Sequence, residues 1–255
     1  MKIAFTNSGT DEAYATYLRF REIYGQCDEP KEAEVVVAIG GDGHMLDVLK
    51  TMEFNKVQCP VFGLNMGTVG YAMNDLSEDC LIERIENAEG QVIRPLKVEI
   101  KNSRENRITQ YAWNEVTVFR QSMQTLNISV SVGHYLRIKD ISCDGMIFST
   151  PFGSTAYNRS AGGPILPLES RGLALTPVSP ARPRYWPGAV LPINAVVTWE
   201  NLDPEKRPMV ATFDSGKVED ALKVTVRSAT RRKATLLFDP DHGLSERILR
   251  EQFPF

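Results

Sequence analysis

The sequence predicts an α/β domain built on a parallel sheet, followed by a β-rich domain. Three observations carry that prediction. In the first third, short apolar runs alternate with segments of helical spacing, the pattern of strands joined to parallel neighbours through helices. After about residue 90 the pattern becomes a series of β-branched or alternating runs, as in antiparallel strands with one face on a core. The closing segment ERILREQF, at 246–253, regains helical spacing and is expected to return to the first domain. The expected division is therefore 1–90 plus about 240–255 for the α/β domain, and 91–239 for the β-rich domain.

Taken in order, KIAFT (2–6) reads as a strand and DEAYATYLRFREIY (11–24) as a helix with Ala13, Tyr17, Phe20 and Tyr24 on one face. EVVVAI (34–39) reads as a strand buried on both sides. HMLDVLKTM (44–52) and SEDCLIERIENA (77–88) follow as helices, the second with an N-cap in the Ser77 to Asp79 start. VIRPLKVEIK, RITQYAWNEVTVFR, TLNISVSV, AVVTWE and KVTVR supply the strands of the second half. The basic cluster RSATRRK, at 227–233, reads as a solvated hairpin.

Composition narrows the function classes. With 255 residues, 42% hydrophobic and 24% charged, the chain can bury a core without disulfide staples. A net charge of −3 and no basic stripe argue against nucleic acid as a partner. No apolar run reaches the ~18 residues needed to span a bilayer, so no membrane partner and a cytoplasmic location are expected. Cys27, Cys59, Cys80 and Cys143 show no paired C-x-x-C spacing, which predicts free buried thiols rather than a zinc site or disulfides.

The chemistry begins in VVVAIGGDGHML, where a buried strand ends in Gly40, Gly41, Asp42 and Gly43 and a helical pattern follows at once. Glycines at a helix N-terminus let an anion approach backbone N–H groups closely. Asp42 does not fit a pure phosphate cradle. At the carboxyl end of a parallel strand, where open α/β sheets bind ligands, its carboxylate is placed to accept a hydroxyl proton or to hold Mg²⁺. The turn is neither G-x-G-x-x-G nor a Walker loop. The purely architectural reading is a left-handed turn with Asp42 capping the helix.

This GGDG turn resembles the signature shared by NAD kinases, diacylglycerol and sphingosine kinases and, more loosely, phosphofructokinases. The resemblance implies a Rossmann-like first domain and phosphorylation of a hydroxyl group. His44 stands where the family usually has threonine, and reads as facing solvent or capping the helix. GLNMGTVGYAMN (63–74) resembles the G-x-N-x-G-x-x-G-F segment of NAD kinases, with Asn65, Gly67 and Gly70 matching and Tyr71 replacing phenylalanine.

WNEVTV (113–118) places Asn114 and Glu115 in an apolar strand, where polar side chains are costly unless partnered. It resembles the family's N-E motif, which implies that Asn114 meets the adenine and Glu115 helps hold the site. CDGMIFSTPFGSTAYNRSAGGPILP (143–167) reads on physical grounds only as a ligand loop. It resembles the NAD kinase block D-G-x-x-x-S/A-T-P-x-G-S/T-T-A-Y-x-x-S-x-G-G-P. That likeness implies that Asp144, Thr155, Ala156, Tyr157 and Ser160 hold the dinucleotide, with Asp144 near the nicotinamide ribose. FDSG (213–216) departs from the family's F-D-G-Q.

The resemblance covers nearly the whole chain. It implies a kinase that transfers phosphate from ATP to the 2′-hydroxyl of the adenosine ribose of NAD. Asp42 would be the catalytic residue, and Gly41, Asp42, Gly43, His44, Asn65, Asn114, Glu115, Asp144, Thr155, Ala156, Tyr157 and Ser160 the binding residues. Mg²⁺ would accompany ATP, with no dedicated metal ligands beyond Asp42. A homo-oligomer, dimer or tetramer, is also implied, with Trp113, Trp186 and Trp199 as aromatics to bury. Two alternatives stand beside this reading: a lipid kinase of the same superfamily, opposed by the STPFGSTAY block, and a dinucleotide sensor, opposed by the retained Asp42.

Overall fold

Buried valines and isoleucines build the first sheet of the computed structural model, which describes residues 1–240 and 243–253. Two compact units divide the chain: Met1–Ile93 with Lys233–Phe253, and a second beginning at Arg94 and running to Arg232. In the first unit β1 (Ile3–Asn7), β2 (Val35–Gly40) and β3 (Val61–Asn65) pair in parallel and in that order. Every residue of β2 is buried. Alternate side chains explain why: Val35, Val37 and Ile39 join Ala13, Phe20, Leu81 and Ile85 in one cluster, while Val36 and Ala38 bury on the other face.

Helix α1 (Asp11–Tyr24) begins where the Thr10 hydroxyl accepts the Ala13 N–H, with Asp11 and Glu12 in the first turn. Helix α2 (Asp42–Asn55) begins two residues earlier than its apolar spacing indicates. Helix α3 (Leu81–Asn87) begins later than expected, because Cys80 is left-handed at φ 56° and the Ser77 hydroxyl instead closes a turn by accepting the Asp79 N–H. Strand β4 (Glu89–Ile93) follows.

The second unit holds β5 (Leu96–Asn102), β6 (Arg107–Ala112), β7 (Glu115–Arg120), β8 (Leu126–Val132), β9 (Tyr135–Cys143) and β10 (Gly145–Ser149). A 3₁₀ turn (Phe152–Thr155) and the short α4 (Tyr157–Ser160) come next. The unit is completed by β11 (Gly172–Val178), β12 (Ala189–Pro192), β13 (Val196–Asn201), β14 (Met209–Phe213), β15 (Gly216–Val218) and β16 (Ala221–Ser228). These strands form two six-stranded antiparallel sheets, ordered β12-β11-β10-β7-β14-β15 and β6-β5-β16-β13-β8-β9, which share one core around Trp199, Phe148 and Met146. The chain then re-enters the first unit as β17 (Ala234–Phe238), parallel to β3 and antiparallel to β4, and α5 (Leu244–Arg250).

Several expectations need correction. VIRPLKVEIK is not one strand: Pro95, which has no N–H to give a ladder, separates β4 from β5. RITQYAWNEVTVFR breaks at Trp113 and Asn114, where the chain leaves one sheet of the second unit for the other. RSATRRK is not a hairpin, since β16 and β17 belong to different sheets; Arg232 instead stacks on Tyr111, 4.0 Å from the ring centroid.

Only Cys143 is a buried thiol; Cys27 and Cys59 are half-buried and Cys80 is exposed, all four free. Trp113 and Trp199 are already buried inside the chain, so neither is an interface aromatic. Residues 241–242 and 254–255 of the expected returning segment lie outside the described residues. Among the described residues no helix is long and apolar enough to cross a membrane.

Candidate functional site

Gly40 and Asn65 are register partners at the carboxyl ends of β2 and β3, so both glycine-rich loops of the first unit leave the sheet at one edge. The loops touch along their backbones. Met66 N–H donates to the Gly40 carbonyl at 2.6 Å, and a Cβ on Gly67 would lie 3.1 Å from the Gly41 Cα. Glycine at 67 lets the two backbones meet without a Cβ pressing on Gly41.

Asp42 sits in the first turn of α2 but does not cap it. The cap is Gly41, extended rather than left-handed, with no side-chain bond to the helix. The carboxylate instead crosses to the second loop, where Oδ2 accepts the Tyr71 N–H at 2.9 Å and Oδ1 the Ala72 N–H at 2.7 Å. Both oxygens are gripped by backbone, and each keeps a further lone pair. The first-turn amides of α2 are left without a side-chain cap, which suits an anion. A Cβ on the exposed Gly43 would meet nothing within 4 Å.

Two other predicted residues turn inward. His44 neither faces solvent nor caps the helix: its Nε2 lies 3.1 Å from the Thr6 hydroxyl on β1. Burial, the largest cause, pulls its pKa below the usual histidine value against smaller opposing effects of Asp47 and Thr6. The Asn65 side chain accepts the Gly67 N–H at 2.9 Å. It packs so tightly on Gly70, at φ 66°, that a Cβ there would lie 2.2 Å from Asn65 Cγ.

In the second unit, Asn114 is not inside a strand but at the corner between β6 and β7, and Glu115 opens β7, an interior strand between β10 and β14. Backbone groups of the corner are fully engaged. Asp214 accepts the Trp113 N–H at 2.7 Å and the Asn114 N–H at 3.1 Å. The Thr150 hydroxyl donates to the Trp113 carbonyl at 2.8 Å, and Thr150 N–H to the Asn114 carbonyl at 3.0 Å. A Cβ on Gly153 would fall 2.3 Å from that same carbonyl. Among the described residues these bonds engage the Asn114 backbone and leave its side chain out of the corner's network.

Glu115 has a buried Oε2 with no hydrogen-bond partner among the described residues. Its pKa is pushed up to about 8, first by burial and then by the neighbouring charge of Asp214. Tyr157, 38% exposed, sets its ring 5.7 Å from Phe119; burial, then Asp144 and Glu115, push its phenol upward. Asp144 is paired with Arg120 Nε at 2.6 Å. Thr155, Ala156 and Ser160 lie on the accessible side of the α4 segment. Ser154 and Asn158 are buried and hold that segment from behind, Asn158 through Ser154, Pro164 and Thr176.

Asp214, Arg120, Asn158 and, in the first unit, Arg247 escaped the sequence reading of the site. Asp214 had a signal, because FDSG departs from the family pattern at a turn. Asn158 stands inside the 143–167 block, with partners as near as Ser154 and Pro164; Arg120 and Arg247 had no signal, being single polar residues whose partners are distant in sequence.

Residues 3–85 match the ATP-NAD kinase N-terminal domain and residues 113–230 the ATP-NAD kinase C-terminal domain. The chain is 48% identical over 254 residues to an NAD kinase of Mesorhizobium japonicum, covering 99% of this chain and 97% of that protein. It is 44% identical to one of Xanthomonas oryzae pv. oryzae over 99% and 97% of the two chains. Its fold is similar to that of yeast NADH kinase complexed with NADH, at TM-score 0.81 and 18% identity over 99% and 87% of the chains. It is also similar to an NAD kinase from Archaeoglobus fulgidus in complex with ATP, at TM-score 0.74 and 21% identity over 98% of each.

Proposed function

The chain belongs to the NAD kinase family, and from that premise we propose that it transfers the γ-phosphoryl group of ATP to the 2′-hydroxyl of the adenosine ribose of NAD, giving NADP and ADP. The observation that carries the catalytic part is the grip of the Tyr71 and Ala72 amides on Asp42. That grip aims the carboxylate away from its own helix and leaves each oxygen able to accept one hydroxyl proton. The 2′-oxygen attacks phosphorus, the bond to the bridging oxygen of ADP breaks, and the hydroxyl proton passes to Asp42. Because the transition state is loose, positioning and charge neutralisation supply most of the rate.

The uncapped start of α2 and the open Gly43 suit phosphate oxygens, with the charge of Asp42 absorbed by the second loop rather than turned on the phosphates. Among the described residues there is no group of three or more His, Cys, Asp or Glu side chains to cage a metal. Asp42 would be at most one protein ligand to a Mg²⁺ ion accompanying ATP, and such an ion would neutralise phosphate charge. Asn114 and Tyr157 take the adenine and ribose, Glu115 and Asp144 hold ribose hydroxyls, and Thr155, Ala156 and Ser160 line the dinucleotide.

A homo-oligomer belongs to the same proposal. In place of the buried tryptophans, the edge strand β9 offers Tyr135 and Leu136, 67% and 57% exposed. A monomer by light scattering at working concentration overturns it. The activity itself is tested by incubating the protein with Mg-ATP and NAD and detecting NADP with an NADP-specific dehydrogenase. NADP should accumulate; its absence with any nucleoside triphosphate donor overturns the assignment.

A further inference from the structure

Two peptide groups stand between Asp42 and a cation on the returning C-terminal helix. Arg247 lies on α5, whose rotation is set by the fully buried Leu244 and Ile248 one turn apart and by Ser245 N–H on the Gln91 side chain at 3.2 Å. Its Nη1 lies 2.8 Å from the Gly70 carbonyl, 3.2 Å from that of Tyr71 and 2.7 Å from that of Met73. The Gly70 carbonyl and the Tyr71 N–H belong to one peptide group, and the Tyr71 carbonyl and the Ala72 N–H to the next. In a trans peptide the two ends point in opposite directions. The guanidinium therefore holds the carbonyl ends of the two peptide groups whose N–H ends hold Asp42.

We infer that Arg247 is a positioning residue for Asp42, acting through these two peptide groups; the inference rests on the catalytic reading of Asp42. Cation, peptide dipole and anion lie in the order that makes each hydrogen bond polarise the next. Gly70 is left-handed, a conformation glycine populates freely, and its carbonyl already accepts the Met73 N–H at 3.1 Å within the loop; the Arg247 strap on the Gly70 and Met73 carbonyls adds a second restraint on the same turn.

The test is a double-mutant cycle on the full chain, with turnover, KM for NAD and melting temperature measured for Arg247→Ala, Asp42→Asn and the pair. Arg247→Ala should lower kcat about 10- to 100-fold through misplacement of the carboxylate, with KM for NAD within about twofold. In the Asp42→Asn background the same substitution should change the residual turnover by less than about twofold. Added guanidinium ion should restore part of the Arg247→Ala rate. Arg247→Lys, which keeps the charge but loses the planar fork, should fall between the two and replaces Arg247→Ala if the latter does not fold. Equal losses in both backgrounds, or an Arg247 variant that melts earlier at unchanged kcat, overturn the inference while leaving the catalytic reading intact. A fully active Asp42→Asn overturns the catalytic reading, and the positioning role with it.

Discussion

Asp42 and Glu115 are both carboxylates given roles in the proposed function, one in each unit, and the protein treats them in contrasting ways. Asp42 has a backbone N–H on each oxygen. Glu115 has a buried oxygen with no hydrogen-bond partner among the described residues, faces the charge of Asp214, and has its pKa pushed up to about 8. A carboxylate matched by donors is held as an aimed acceptor. A carboxylic acid stripped of water beside another carboxylate keeps its proton, and so near neutral pH it can donate a hydrogen bond. In the proposed function the same functional group is assigned an acceptor role in the first unit and a donor role in the second, and the difference lies in the surroundings.

The largest effect expected from breaking this contrast is in turnover. Asp42→Asn removes the basicity and should lower kcat by about 10² to 10⁴-fold, with the KM for NAD unchanged because the loss is confined to the transition state. The grip predicts a second consequence. An amide offers only one oxygen, so one of the two backbone N–H groups loses its acceptor and stability should fall by about 1 to 3 kcal/mol. Full activity combined with an earlier melt would assign Asp42 to architecture alone.

A smaller effect is expected at the residues of the second unit proposed to hold the dinucleotide. The backbone of Asn114 is anchored independently by Asp214 and Thr150, so Asn114→Ala should leave the corner intact and weaken NAD binding by about 1 to 3 kcal/mol. Tyr157→Ala should do the same, with turnover at saturating NAD little altered. Calorimetric dissociation constants that match the parent would remove either residue from the site.

How much of this was legible in the sequence depends on the range of the interaction. Strand β2 and helix α1 could be read because burial on both faces and a single apolar stripe are local patterns. The GGDG turn and the STPFGSTAY block were legible as loops next to strands. Neither the direction of the Asp42 carboxylate nor the corner at Asn114 was, because each is decided by partners far along the chain: Tyr71 and Ala72 in one case, Asp214 in the other. The start of α3 was misread since Ser77 satisfies a nearby N–H in a turn rather than at the helix, a competition open to any serine in front of an apolar run. His44 was misread because a histidine at a helix start looks solvent-facing until β1 brings Thr6 beside it.

The smallest effect expected is also the one that most directly tests the contrast between the two carboxylates, because it reads the Glu115 proton itself. Its folded pKa of about 8 lies above the ordinary carboxylate value of 4.5. Between those values the folded chain binds a proton that the unfolded chain has lost, so stability falls as pH rises. The contribution is fully present below about pH 4.5 and is lost as pH rises through about 8. From about pH 7 to about pH 9 the loss amounts to about 1 kcal/mol, readable as a shift in the urea midpoint. Glu115→Gln is neutral throughout, so this part of the pH dependence should vanish. Asp214→Asn should move the fall to lower pH without removing it, because burial, the larger cause, remains. Tyr157, the other titratable group beside Glu115, is pushed upward and so stays neutral in this window. Parallel stability curves for the parent and Glu115→Gln would mean that Glu115 is ionised in the folded chain, and the donor role assigned to it would fall.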